Sequence, residues 1–451
     1  MGAGLGGLVA ACGGATTTTT AATTATTAGQ TTTAGATTTV SASPTAGREI
    51  KLGFVTPQTG GLAAFAIPDA YCVERWNEFA AVGLVCGDGQ KHPISITVSD
   101  SQSDTNRASQ VAGDLINNQR VDILMAASTP ETVNPVADQA EALQTPCISS
   151  DCPMESYYFG RGGTAAKPFK CTYHLFWGLT ELMAVSFDLW SQLPTNKVVG
   201  CLWPNDSDGN AFRPAYTPVM KQKGYAVVDG GPFQDGTEDF TSMITQFKKA
   251  GCDIISGVVI VPDWTNFWKQ AKQQGLNPKI VDAIKPTLFP SAMEALGVIA
   301  YGLAGPCWFH PTYPFKSSLT GETCLEMCLD FEKKKSMQWQ QPIMHYVLGE
   351  WAVDVLKRVK NVDDKNEIIQ AIASTNVADS VAGPFDFTAP VKTGTAHGVL
   401  NVVRTQLYGG QWLKGTVQHP LDTKIYPFDL VIVSNVAAPT LTVQAKLAPL
   451  S

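Results

Sequence analysis

Short apolar runs bounded by turn residues alternate with amphipathic helical stretches through most of this chain, and the alternation occurs twice. In the first series Ile50–Val55 reads as a strand, Ala66–Val82 as a helix, Pro93–Ser99 as a strand and Asp104–Asn118 as a helix. Ile123–Ala127, Asn134–Leu143 and Cys147–Ser149 continue it as strand, helix and strand. The second series runs through helices at 181–193, 211–224, 240–250 and 264–274, with strands at 197–202, 225–229, 253–261 and 279–282 between them. Such spacing demands right-handed βαβ units on parallel sheets. Later segments, helical at 341–360 and 364–374 and β-like at 398–407 and 428–433, must complete one or both sheets.

At 451 residues the chain exceeds one ordinary core, so two domains plus tails are expected. Its net charge of −7 lacks the basic footprint of a nucleic-acid binder, and no nucleic-acid partner is expected. No run of eighteen apolar residues suggests a transmembrane helix.

The first residues, MGAGLGGLVAAC, contain Gly2, Gly4 and Gly7 in dinucleotide-binding spacing, but no strand precedes them and no helix follows. A secretory apolar region is the better reading of residues 1–14. The Val9-Ala10-Ala11-Cys12 ending resembles a bacterial lipoprotein box, which implies lipidation of Cys12 and a membrane anchor; an ordinary apolar tail is the alternative. Residues 15–47 collapse to Thr, Ala and Gly, too little apolar surface to offset ordering, and are expected to be a disordered tether. Eleven cysteines with no C-x-x-C pair suggest an oxidising compartment. Cys72 with Cys86, Cys152 with Cys171, and Cys307 with Cys324 or Cys328 are candidate disulfides.

The opening IKLGFVTPQTGGLAAFA, the stretch STPETVNPVAD followed by TPCISS, Asp239-Phe240-Thr241, QAKQQGL and Gly383-Pro384-Phe385-Asp386-Phe387 occur in an order that resembles a known family. They resemble the branched-chain amino-acid type of solute-binding protein of ABC transporters, with the type I periplasmic-binding fold. The resemblance covers Glu49 to about Trp412 and implies an α/β protein of two Rossmann-like lobes with parallel central sheets. Three crossovers form the hinge. The implied first lobe holds residues 48–171 plus about 310–382, the second 172–309 plus about 383–434, and 435–451 is a tail. The segment from Cys307 to Cys328 and the chain after Lys414 depart from the family pattern.

Ligands in open α/β sheets bind outside the carboxyl ends of strands. Ser128 and Thr129 end one strand ahead of a helix, where N–H groups favour anions, and Ser149, Ser150 and Asp151 end the next. Each also suits a turn or a cap. Asp263 follows another strand where the family places an acid for a substrate amino group; capping the helix at Trp264 is its alternative role. Asp206 and Asp208, in PNDSDG, resemble the second lobe's loop or are turn residues. Phe65 matches an aromatic position of the family's site, Trp177 sits where the chain first crosses between lobes, and Phe176, Trp203, Trp264 and Trp308 complete a candidate aromatic set of which most members are expected in the core. Six scattered histidines form no metal pattern, His174, His310 and His345 are expected as hydrogen-bonded structural residues, and no catalytic motif or cofactor site is read. The resulting expectation is an extracytoplasmic, lipid-anchored binding protein that takes an amino acid or related carboxylate or amide and delivers it to permease subunits. A ligand-sensing receptor module and a hydrolase are the alternatives.

Overall fold

Ile123–Ala127 forms a strand in which every side chain is buried, the pattern of a parallel strand covered on both faces. It lies inside a six-stranded sheet. In chain order the first sheet takes β1 (Ile50–Thr56), β2 (Ile94–Asp100), β3 (Ile123–Ala127), β4 (Cys147–Ser150) and β5 (Thr172–Leu175). The second takes β6 (Val198–Leu202), β7 (Ala226–Asp229), β8 (Ile254–Gly257), β9 (Ile280–Ala283) and β10 (Ala304–Cys307). The chain then returns to add β11 (Val402–Val403) to the first sheet, and β12 (Leu407–Lys414) and β13 (Phe428–Ala437) to the second. This computed structural model describes residues 44–416 and 425–450.

Across the first sheet the strand order is β11-β5-β4-β3-β1-β2, with every neighbour parallel. Across the second it is β13-β12-β10-β9-β8-β6-β7, where only the β10–β12 and β12–β13 pairings are antiparallel. In each sheet the first strand leaves toward one side and the third strand lies on its other side. The β1/β3 and β6/β8 boundaries are therefore topological switch points. The α/β fold with two parallel-sheet lobes thus forms as the alternation requires.

Several boundaries differ from the sequence reading. Thr172–Leu175 pairs in register with Cys147–Ser150, so the first sheet extends to Leu175 and does not stop at 171. Val402–Val403 pairs with His174–Leu175, so the last crossover falls at 404–406 and not near Gly383. Residues read as a tail from 435 continue β13 to Ala437, and the Gln411 amide holds Ala448 by two hydrogen bonds. Helices begin earlier than periodicity alone suggested: Pro130 opens Pro130–Ala142, and Pro262 sits in the first turn of Val261–Gln273. The segment after Cys307 carries a helix, Cys324–Lys335, with a Thr323/Glu326 capping box. It packs on helix Asp69–Ala80 through Tyr71 against Phe331, and Arg75 pairs with Asp330 at 2.7 Å.

The disulfide expectation is overturned. All ten described cysteines are free thiols, and all are buried. Their sulfurs turn toward separate backbone carbonyls: Cys72 toward Ile343, Cys86 toward Leu84, Cys152 toward Pro153, Cys307 toward Gly305 and Cys324 toward Val381. Cys328 lies one turn along the same helix as Cys324. These thiols act as small apolar core groups, with burial pushing Cys147 up to about 12 and Cys171 up to about 11. A thiol reagent is therefore expected to leave all ten unlabelled in the native protein and to label them in denaturant, as mass spectrometry reads directly. Rapid native labelling, or a mass shift on reduction, contradicts this. Cys12 lies outside the described residues. Among those described, no helix is long and apolar enough to cross a membrane.

Candidate functional site

The carboxyl ends of the central strands of both sheets converge on one cavity. Phe65 follows β1, Thr129 follows β3, Asp151 and Pro153 follow β4, and Phe176 and Trp177 follow β5. From the second sheet come Asp208 after β6, Val258 after β8, Ile284 and Lys285 after β9, and Trp308 after β10. Both switch points thus open into the same space. A larger groove of about 610 Å³, between Thr180–Ala184, Asp386–Lys392 and Val402–Gln406, shares no residue with it.

The lobes are closed on this cavity. Phe65 packs edge-on against Phe289 of the other lobe at 4.9 Å. Ser156 Oγ donates to Asp208 Oδ1 at 3.0 Å, and the Ser207 N–H reaches Glu131 Oε1 at 3.2 Å. About 20 Å³ remains for the centre of a water-sized sphere, room for about one water molecule. Phe176, Trp177 and Trp308 pack mutually with ring centroids 4.9–5.9 Å apart.

Below the first-lobe wall lies a buried charged group that no local sequence pattern announces. His345, fully buried, places Nδ1 2.6 Å from Asp69 Oδ1 and Nε2 3.0 Å from Asp151 Oδ2. Burial alone would lower its pKa, but the two carboxylates prevail and raise it to about 9. Ser128 and Asp151 both adopt left-handed backbone (φ 49° and 56°), which non-glycine residues seldom hold without support. The Ser128 hydroxyl donates to Asp151 Oδ2 at 2.5 Å and ties these turns together.

Ser128, His345 and Asp69 are arranged as hydroxyl, imidazole and carboxylate, with Ser128 Oγ 3.2 Å from His345 Nε2. The protons are misplaced for nucleophilic chemistry. Ser128 gives its proton to Asp151, and a protonated imidazole has no lone pair with which to act as base. The group is built to hold charge and backbone in place. Among the described residues, no set of three His, Cys, Asp or Glu side chains is placed to hold a metal.

On the second lobe, Lys285 is buried with Nζ 2.9 Å from Asp208 Oδ2 and 3.5 Å from Asp206 Oδ2. Burial pushes Asp208 up to about 7 against the pull of Lys285, and Asp206 also rises by burial. Lys285 itself is held charged, because Asp208, Asp206 and Glu131 outweigh the effect of burial.

Of the residues singled out from sequence, Phe65, Thr129, Asp151 and Trp177 line the cavity. Thr129 Oγ1 donates to Glu131 Oε2 at 2.5 Å. Ser128 stands behind the wall, bonded to Asp151. Ser149 and Ser150 turn into the sheet, where Ser149 Oγ lies 2.9 Å from His174 Nδ1 and Ser150 Oγ donates to the Leu175 carbonyl at 2.8 Å. Asp206 caps helix Ser207–Gln222 through the Gly209 N–H while facing Lys285. Asp263 does not line the cavity: its carboxylate accepts the N–H of Gly236, whose φ of +88° suits glycine. Burial raises Asp263 to about 6. Trp264 stacks on Trp268 in the second-lobe core. Phe176, Asp208 and Trp308, also candidates from sequence, line the cavity too, and His345, expected as a hydrogen-bonded structural residue, lies behind the wall; Lys285 was missed in the sequence. A signal existed for Lys285, which follows a strand in the manner of Asp263.

A family model described as "Periplasmic binding protein" matches residues 49–411. The chain belongs to the periplasmic binding protein family. The leucine-binding protein LivK of Thermotoga maritima is similar, with a TM-score of 0.66 at 14% identity over 84% of this chain and 97% of that one. LivJ of Streptococcus pneumoniae, solved with isoleucine, gives 0.64 at 17% identity, over 85% and 99% of the two chains. An ABC-transporter solute-binding protein of Rhodopseudomonas palustris, solved with 3,4-dihydroxybenzoic acid, gives 0.64 at 16% identity, over 85% and 98%. These likenesses establish the type I fold for this periplasmic binding protein. Its two lobes with parallel central sheets are those of that fold.

Proposed function

We propose that this protein is the extracytoplasmic solute-binding component of an ABC importer, capturing a small polar or aromatic solute between its lobes for delivery to permease subunits. The observation that carries this reading is the convergence of residues from the carboxyl ends of central strands in both sheets on one cavity. Family membership supports a binding role over a catalytic one, as does the protonated His345. Structural neighbours that bind isoleucine and dihydroxybenzoic acid support amino acids and aromatic acids as candidates. Lipid attachment at Cys12 is part of the proposal and rests on the Val9-Ala10-Ala11-Cys12 sequence.

The closed lobes must part to admit a solute and shut again around it. Calorimetric screening of amino acids, amides and aromatic acids, with small-angle scattering on the same samples, tests this. One-to-one binding is expected, with a scattering curve that changes as the lobes part and re-form around the solute. No heat from any solute and an unchanged scattering curve would overturn the reading.

A further inference from the structure

Three charged side chains line the interlobe cavity, and each already has an internal partner of opposite sign. Asp151 lies 3.0 Å from the His345 imidazole and accepts the Ser128 hydroxyl at 2.5 Å. Asp208 lies 2.9 Å from Lys285 Nζ and accepts the Ser156 hydroxyl at 3.0 Å. A solute ammonium would have to displace a fixed cation from one of these carboxylates. A solute carboxylate fares no better. It would compete with Asp206 and Asp208, which already hold Lys285 at 3.5 and 2.9 Å, and would stand against both of them. Repulsion among like charges at such range is strong where water is excluded.

Lys285 Nζ makes no well-aligned hydrogen bond but keeps its ion pair with Asp208, whereas two other polar groups in the lining have no partner of any kind. The indole N–H groups of Trp177 and Trp308 meet no acceptor, although the two residues are only 2% and 4% exposed. A buried donor left without an acceptor is a standing cost that a ligand oxygen removes. Phe65 and Phe176 complete apolar walls beside them.

We infer that the solute is uncharged: a flat apolar or aromatic body with oxygen acceptors, of the carboxamide or ketone class, held by the Trp177 and Trp308 N–H groups. This rests on the solute-binding reading above and narrows it. Charge is supplied and neutralised by the protein, and the solute brings acceptors only.

A matched set on one skeleton tests the inference with the full chain at pH 7.5: 3-phenylpropanamide, 3-phenylpropanoate, 3-phenylpropylamine and phenylalanine. Calorimetry should find the neutral amide bound about tenfold or more tighter than each charged member. Trp177→Phe and Trp308→Phe should each weaken the amide about fivefold, the loss of one hydrogen bond, with ring packing kept. Any charged member binding as tightly as the amide overturns the inference and leaves solute binding standing. Amide affinity unchanged in both variants removes the indoles from recognition and overturns it as well. If none of the four binds or changes the scattering curve, the inference and the reading beneath it both fall. The wild-type charge order needs no variant to fold.

Discussion

Replacing His345 with alanine is expected to destabilise the protein by about 3–5 kcal/mol, the cost of removing one member of a buried ion pair. The imidazolium stands between Asp69, at the start of helix Asp69–Ala80, and Asp151, beyond β4. Without it two buried carboxylates face each other with no counter-charge, and the left-handed turns at Ser128 and Asp151 lose their brace. Urea unfolding should show a lower midpoint at an unchanged slope. The sign of the pH dependence follows from the raised pKa. His345 titrates near 6.5 when unfolded and near 9 when folded, so its contribution is complete below about pH 6.5 and disappears as pH rises through 9. That gap corresponds to about 3 kcal/mol. Wild-type stability should decline across this window, and His345→Gln should lack that component. A variant as stable as wild type, with the same pH profile, would refute a charged His345.

The second large effect is expected at Lys285. Lys285→Met should cost about 3–5 kcal/mol, because Asp206 and Asp208 then remain buried beside Glu131 without an ammonium. Adding Asp208→Asn to Lys285→Met should recover stability, giving a coupling of about 1–3 kcal/mol in a double-mutant cycle. Strict additivity of the two substitutions would mean that the pair does not interact. The cycle reads the folding energy of the cavity wall and needs no ligand.

Much of the fold was legible because its strands are apolar runs closed by turn residues. Ile123–Ala127 is found with its limits unchanged, and Ile50–Val55 gains one residue. Strands outside the reading lack such a run: Thr172–Leu175 mixes Thr, Tyr, His and Leu, and Ala304–Cys307 contains Gly and Pro, so tertiary pairing makes both into strands, while the β-like run at 398–407 holds the two-residue strand Val402–Val403. Helix Cys324–Lys335 carries a sequence signal in its Thr323/Glu326 capping box. At the site, position along a strand end was a sound guide to Thr129 and Asp151 but a poor guide to direction. Ser149 and Ser150 end a strand too, yet their hydroxyls bond into the sheet. His345 had no local signal at all, since its partners are 194 and 276 residues away in the chain.

The bonds across the cleft bear on how fast this protein can respond to its solute. Ser156 to Asp208, Ser207 to Glu131 and the Phe65–Phe289 contact all have to break before anything enters. Apparent affinity is the intrinsic affinity multiplied by the fraction of molecules standing open, so an open population of about one in a hundred weakens it about a hundredfold. Capture would then be paced by spontaneous opening and would stop rising with solute concentration once every opening is used. Loosening the latch, for instance at Ser156, would raise that ceiling on the capture rate, because it lowers the cost of the opening step.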